Sequence, residues 1–241
     1  MSAETRKARD FFILTFALFY PLAMTAAYFV WCVNHAPDAA KSVYAIGKAL
    51  QFLFPAAITA FVLKERVLVR KPNSRGLLFG FLFGLVVGLT IFLAARYGLA
   101  SSAWRDSDFV VRLRTEFNAR VGSFGLTKVT FAVVALFYSL VHSGLEEYYW
   151  RWFTFGRLAR RFSFVPAAVI CAVAFSLHHI VVLGTYFGYS SALTWFCSFG
   201  VGVGGFVWQT LYHKTDSIYG GWLSHCLVDA GIYAVGFLLL A

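Results

Sequence analysis

Charged residues are scarce in this sequence of 241 residues: Asp, Glu, Lys and Arg together make up 13%, whereas 60% of the residues are hydrophobic. Soluble globular domains carry about a quarter charged residues, so this composition excludes an ordinary soluble domain. The hydrophobic residues come in blocks of about 20, long enough to cross a bilayer core of roughly 30 Å as helices. The ten-residue alternation of an outer-membrane barrel is lacking. The composition therefore predicts an all-α integral membrane protein.

Several short catalytic signatures are also absent. The sequence contains no HExxH and no GxSxG, so neither a zinc protease of that type nor a serine hydrolase is expected. Cysteine is rare, and the four cysteines show no CxxC spacing and fall within or at the ends of apolar segments. They indicate small core residues rather than disulfides or a metal site.

Seven hydrophobic segments predict a polytopic bundle of about seven to eight transmembrane helices. The segments cover residues 11–33, 44–63, 76–98, 130–158, 164–186, 191–212 and 217–240. The first is too closely followed by others to be a cleaved signal, so we expect it to remain as an anchor. The chain is predicted to form one membrane domain, with amino-terminal helices in residues 1–125 and a motif-bearing core in residues 126–241.

The net charge of +10 comes mostly from short loops, near residues 6–9, 64–71 and 157–161. Basic residues in alternate loops are typical of cytoplasmic loops, so we expect a cytoplasmic amino terminus, contact with the lipid bilayer and no binding to nucleic acid. Residues 99–128 should then be external, although they contain several arginines. Their apolar residues recur near helical spacing, which predicts an amphipathic helix in the membrane interface.

Ionisable residues inside the hydrophobic segments gather in three stretches: "HSGLEEYYWR" from His142, "FSLHH" ending at His179, and "LSHCLVD" ending at Asp229. Each such residue costs roughly 2.5–3.5 kcal/mol to insert, so each needs a partner or a function. Counting about 1.5 Å per residue from the helix ends places Glu146, His179 and His225 at similar depths, roughly 15–20 Å. The three stretches are therefore predicted to form one site.

The same stretches fit the patterns EExxxR, FxxxH and HxxxD, in that order along the chain. Over roughly residues 130–240 the sequence thus resembles the CAAX prenyl protease 2 family and its bacterial CPBP relatives, which are glutamic intramembrane proteases. The resemblance implies a catalytic set of Glu146, His179, His225 and Asp229. Asp229 stands where many members of the family have Asn.

Five further residues accompany this set. Phe175 belongs to the FxxxH pattern and is predicted to support it. Glu147 and Arg151 lie four residues apart in the acid-first order, which predicts a helix-stabilising ion pair with a buried arginine. His142 and His178 are predicted to be polar residues of the bundle; a role in the site is the second possibility for both, with His178 as the alternative to His179 in the pattern.

The proposed chemistry is peptide-bond hydrolysis in a membrane-anchored protein or peptide. Glu146 and His179 would activate a water molecule, while His225 and Asp229 would stabilise the oxyanion. No cofactor is expected; the alternative is a zinc ion held by Glu146, His179 and His225. Intramembrane acids and histidines are also compatible with a proton-coupled transporter, and a non-catalytic immunity or binding protein stays open as well. The short loops favour a prokaryotic plasma membrane.

Overall fold

The computed structural model describes residues 2–240, apart from the side chains of Ala3, Ser102, Ala103 and Arg120. Over these residues the chain is helical and contains no strand, which confirms the all-α prediction. The main helices are α1 (Glu4–His35), α2 (Pro37–Val62), α3 (Ser74–Ala100), α4 (Asp108–Ser123), α5 (Lys128–Leu158), α6 (Phe164–Phe187), α7 (Ala192–Thr215) and α8 (Tyr219–Leu239). A single helical turn, Ser102–Arg105, precedes α4.

Six of these helices are long and apolar enough to cross a membrane: α1, α2, α3, α5, α6 and α8. The protein is therefore an integral membrane protein. The segment predicted as a further span at residues 191–212 is the helix α7, which is not among the six. It nevertheless runs antiparallel along α6, as two contacts show. Ser176 Oγ donates to the carbonyl of Ser198 at 2.6 Å, and the ring of Phe164 lies against that of Phe206, with centroids 5.9 Å apart.

Residues 108–123, inside the predicted amphipathic segment, form α4, which is outside the set of spanning helices. Val110 on this helix is buried. Asn118 Nδ2 donates to the carbonyl of Leu239 at 2.9 Å, and Phe117 meets the ring of Phe131 edge-on. The helix is thus attached to the ends of α5 and α8 by one apolar and one polar contact.

Over residues 2–240, four π-helical stretches lie within or at the end of the spans, at Ala27–Cys32, Ile58–Val62, Tyr138–His142 and Tyr148–Phe155. The last two lie on either side of the α-helical stretch Ser143–Glu147 in α5. A π turn has wider spacing than an α turn, so the faces assigned at 3.6 residues per turn do not continue through it. Such turns are frequent at functional sites.

The chain divides into two compact units, Met1–Arg70 with Tyr148–Asp216, and Lys71–Glu147 with Ser217–Ala241. We call them the first and the second unit. Each unit combines two separate segments of the chain. The motifs predicted that the motif-bearing part begins at residue 126. This boundary stays a prediction.

The first unit has an aromatic core. Phe54 of α2 packs on Phe16 of α1 and on Phe153 of α5, with ring centroids 4.4 and 5.7 Å apart. Tyr149 is fully buried, and its hydroxyl donates to the carbonyl of Ala17 at 2.8 Å. A buried hydroxyl needs such a partner, and here the partner is a carbonyl of α1.

The second unit is built on close packing between α3 and α8. Gly76, Gly80, Gly84 and Gly88 are buried at four-residue spacing on one face of α3. A Cβ atom at Gly80 would lie 2.0 Å from the carbonyl oxygen of Gly220, and one at Gly84 would lie 2.6 Å from that of Ser224. Small residues allow the two backbones to approach in this way, as is common between membrane helices. The parallel register places His225, which follows Ser224, at a defined position along α3.

Candidate active site

In the second unit, α5 and α8 bring five ionisable side chains together: His142, Glu146, Glu147, His225 and Asp229. His225 is the centre of the group. Its Nδ1 lies 3.0 Å from Glu147 Oε1, and its Nε2 lies 3.8 Å from Glu146 Oε2 and 3.7 Å from Asp229 Oδ1. Four of the sequence-predicted site residues, Glu146, Glu147, His225 and Asp229, are therefore neighbours in the structure.

The cluster is almost entirely removed from solvent. Glu147 is fully buried, whereas Glu146 and His225 are 3% and 5% exposed. The side chain of Asp229 is 19% exposed and is the most accessible of the three carboxylates. Buried charges are tolerated only when they are paired and hydrogen-bonded, so three carboxylates around one imidazole form an electrostatically coupled group rather than isolated charges.

The hydrogen bond to Glu147 fixes the orientation of His225. A carboxylate accepts, so Nδ1 of the imidazole carries the proton and Nε2 points to Glu146 and Asp229. The sequence assigned Glu147 only to an ion pair within its own helix, whereas the structure places its Oε1 against His225 of α8. No spacing along α5 could indicate that contact, because it joins residues 78 positions apart.

His142 also joins the group. Its Nε2 lies 3.4 Å from Glu146 Oε1, one turn away on α5. The sequence predicted a polar residue of the bundle here, with a site role only as a second possibility. The four-residue spacing to Glu146 was the available signal, because residues at i and i+4 share a helix face. Glu146 therefore lies between two imidazoles of the second unit, those of His142 and His225.

The first unit contains the FxxxH pattern on α6. His179 Nδ1 lies 2.9 Å from the carbonyl of Phe175, and this bond requires the proton on Nδ1. In the neutral ring Nε2 is then the acceptor nitrogen. The Phe175 ring also packs edge-on against His179, with centroids 4.8 Å apart. Phe175 thus orients His179 through both its carbonyl and its ring, which gives a physical reason for the four-residue spacing of the pattern.

His178 has different surroundings from those of His179. It is 4% exposed, and its ring lies parallel to that of Trp150 with centroids 5.7 Å apart. His179 is only partly buried. The accessible imidazole of the pair is therefore His179, in agreement with the residue that the FxxxH spacing selects.

Arg151 is fully buried in the first unit, as the sequence predicted. Its guanidinium carbon lies 4.8 Å from the ring centroid of Phe175 and 4.9 Å from that of Trp208. Aromatic faces attract cations, more strongly where water is excluded. These rings hold the arginine beside the helix that carries His179.

The zinc hypothesis draws its three ligands from both units. Among residues 2–240, no group of three His, Cys, Asp or Glu side chains is placed to hold a metal ion. Glu146 and His225 of the suggested ligand set lie in the second unit, and His179 lies in the first.

Comparison with known proteins identifies one family. Residues 128–231 match the family model described as type II CAAX prenyl endopeptidase Rce1-like. The matched range contains all three sequence patterns and confirms the resemblance drawn from them. The matched model describes a family of endopeptidases. No curated protein and no solved structure matches the chain.

Proposed function

We propose that this chain, a relative of the type II CAAX prenyl endopeptidases, is an intramembrane endopeptidase of the glutamic type. Its substrate is a protein or peptide with a membrane-anchored end, and the reaction is hydrolysis of one peptide bond. The observation that carries the proposal is the coincidence of two features: the family match spans residues 128–231, and the buried carboxylate–imidazole cluster of the second unit lies inside that range.

In the proposed mechanism Glu146 is the general base. Its carboxylate accepts a proton from water, and the resulting hydroxide adds to the carbonyl carbon of the scissile bond. The Nδ1 of His179 donates to the Phe175 carbonyl, so in the neutral ring Nε2 is the acceptor nitrogen, and we assign to it the positioning of the water or the transfer of the proton. That proton passes to the leaving nitrogen as the C–N bond breaks, which leaves a carboxylic acid and an amine.

His225 and Asp229 stabilise the oxyanion of the tetrahedral intermediate. Because Nδ1 of His225 is committed to Glu147, only Nε2 can donate to an oxyanion, and it does so when the ring is an imidazolium. The surrounding carboxylates supply the negative charge that this cation requires. A protonated Asp229, the most exposed acid of the cluster, would donate directly. Glu147 acts as a positioning residue for His225.

The decisive comparison is between the wild-type protein, Glu146→Gln and Glu116→Gln. Glu116 is a matched control, since it is a glutamate of α4 that pairs with Arg112 at the surface, outside the cluster. Each purified protein is incubated with proteins extracted from the host membrane, with and without a strong chelator, and new peptides are identified by mass spectrometry. Loss of general-base catalysis lowers the rate by about 10²–10⁴-fold.

We expect cleavage by the wild type and by Glu116→Gln, with and without chelator, and none by Glu146→Gln. Cleavage that disappears on chelation and returns with zinc would replace the glutamic mechanism by a metal-dependent one. Identical peptide profiles for all three proteins would contradict the protease proposal and favour transport or binding.

We further propose a prokaryotic plasma membrane location with a cytoplasmic amino terminus. The support is the basic character of residues 6–9, 64–71 and 157–161. Labelling a single cysteine introduced at Ser2, in a variant without native cysteines, with a membrane-impermeant reagent on intact cells tests this orientation. Labelling before lysis would contradict it.

A further inference from the structure

A cavity of about 590 Å³ opens in the first unit, at the end where three helices start or stop. Its lining comes from the beginning of α1, from the residues just after α2, and from the last turn of α5 with the residues that follow it. Ends of membrane-crossing helices mark the level of the lipid headgroups. The cavity therefore lies at the membrane interface, and none of the carboxylate–imidazole cluster contributes to its lining.

The lining of the cavity is strongly basic. Five cationic side chains contribute to it: Lys7, Arg9, Arg157, Arg160 and Arg161. Two carboxylates, Asp10 and Glu65, are also present, so three positive charges remain uncompensated. Lys7 forms no ion pair with the residues that the structure describes.

The two carboxylates hold the arginines in place. Asp10 bonds Arg9 and Arg161, each at 2.9 Å. Glu65 bonds Arg157 and Arg160, each at 3.1 Å. Each carboxylate thus pairs with two guanidinium groups. The partners of Asp10 come from two distant segments of the chain, and those of Glu65 lie three residues apart at the end of α5 and just after it. The four arginines are pre-positioned around the cavity while retaining an excess of positive charge, which favours binding of a further anion.

The remaining lining is apolar and includes Phe11, Ile13, Leu14 and Leu63. Ile13 and Leu14 are buried, whereas Phe11 is 69% exposed, as is its neighbour Phe12. Basic and apolar groups therefore meet at one place. This combination fits an amphiphilic ligand with an anionic head and hydrocarbon chains, and it is less suited to a fully hydrophilic anion.

We infer that this cavity binds the phosphate of an anionic phospholipid, with the acyl chains lying along the exposed apolar surface of α1. Arginine is well matched to phosphate, because its planar guanidinium can donate two parallel hydrogen bonds. Basic pockets between membrane helices bind anionic headgroups in the same way. The site is independent of the proposed hydrolysis and serves to anchor the ends of α1, α2 and α5 to the lipid.

The test uses the full-length protein and a probe of stated composition. Protein in micelles containing equal amounts of phosphatidylglycerol and phosphatidylcholine is examined by native mass spectrometry, and the ratio of retained lipids is measured. The test variant is Lys7→Gln with Arg160→Gln. The control is Arg66→Gln with Lys71→Gln, which removes two exposed cations that do not line the cavity. The single variant Lys7→Gln leaves every arginine pair intact.

Wild type and control are expected to retain phosphatidylglycerol preferentially. Each basic residue that faces the bound phosphate is expected to contribute roughly fivefold, so the double test variant should lose about 25-fold of this preference and Lys7→Gln about fivefold. Equal losses of phosphatidylglycerol preference in the test and control variants would show that general surface charge accounts for the preference, and would overturn the site. Thermal stabilisation by inorganic phosphate equal to that by phosphatidylglycerol would overturn the lipid assignment in favour of a free anion.

Discussion

The contact between α3 and α8 makes the clearest quantitative prediction, because Gly84 of α3 lies against the residue that precedes His225. In Gly84→Ala the new Cβ would lie 2.6 Å from the Ser224 carbonyl oxygen, whereas ordinary contacts begin at 3.4 Å. The neighbour is backbone and cannot rotate away, so α8 must move by about 0.8 Å, the difference between these two distances. Such overpacking typically costs about 1–3 kcal/mol.

A displacement of this size is large enough to disturb the site. The bond from His225 Nδ1 to Glu147 Oε1 is 3.0 Å long, and lengthening it by about 0.8 Å would leave hydrogen-bonding range. We therefore expect Gly84→Ala to lower both thermal stability and peptidase activity. The activity loss should appear mainly in kcat, because the substituted position touches the helix that carries His225 rather than the substrate.

Gly98→Ala on the same helix is the matched control. A Cβ at Gly98 would meet nothing within 4 Å. Replacing a helical glycine by alanine then stabilises by about 0.5–1 kcal/mol, because it reduces the freedom of the unfolded chain. The same chemical change should thus shift the melting temperature of the detergent-solubilised protein upward at Gly98 and downward at Gly84. Shifts of the same sign, with activity intact in both variants, would refute the packing argument.

Three further predictions concern single side chains. Glu147→Gln should lower kcat by about 10–100-fold with little change in KM, because Glu147 orients His225 and does not contact the substrate. An unchanged kcat would show that the contact between Glu147 and His225 does not orient the imidazole for catalysis. His179→Gln should abolish cleavage in the peptide assay. His178→Phe should retain cleavage, because it keeps an aromatic ring in a buried stack. The reverse pattern would assign the histidine of the FxxxH motif to His178. Burial acts to raise the pKa of Glu65, but the hydrogen bonds and charges of two arginines outweigh it and hold that pKa below its ordinary value. Its ion pairs therefore contribute stability above the unfolded-state pKa of about 4.3, and this contribution is lost as pH falls through the lower folded-state pKa. Melting temperatures across this acid range should converge for wild type and Glu65→Gln, and parallel curves would contradict the assignment.

Much of the fold class followed from the sequence alone. Long apolar segments permit few structures in a bilayer, since a lipid-exposed backbone must satisfy its own hydrogen bonds and a helix does so locally. The position of the candidate site also followed, because ionisable residues are rare in such segments and each one stands out. Glu146, His179, His225 and Asp229 all stand out on this basis, and their selection as the catalytic set is what the family resemblance implies.

The local partners of these residues were only partly predictable. The contact of His142 with Glu146 and the bond from His179 to the Phe175 carbonyl follow four-residue spacings, which any helix brings together. The run of glycines from Gly76 to Gly88 also has this spacing, but its meaning depends on which helix lies opposite.

The tertiary structure alone decided which residues meet across different helices. The bond between Glu147 and His225 joins positions 78 residues apart, and its length depends on how closely α3 allows α8 to pack. The π turns on both sides of Ser143–Glu147 change the direction of side chains without leaving a recognisable sequence pattern. Hydrophobicity and residue spacing act within one segment and can therefore be read from the sequence. The register between two helices depends on how their surfaces fit together, and those surfaces are distant in the chain.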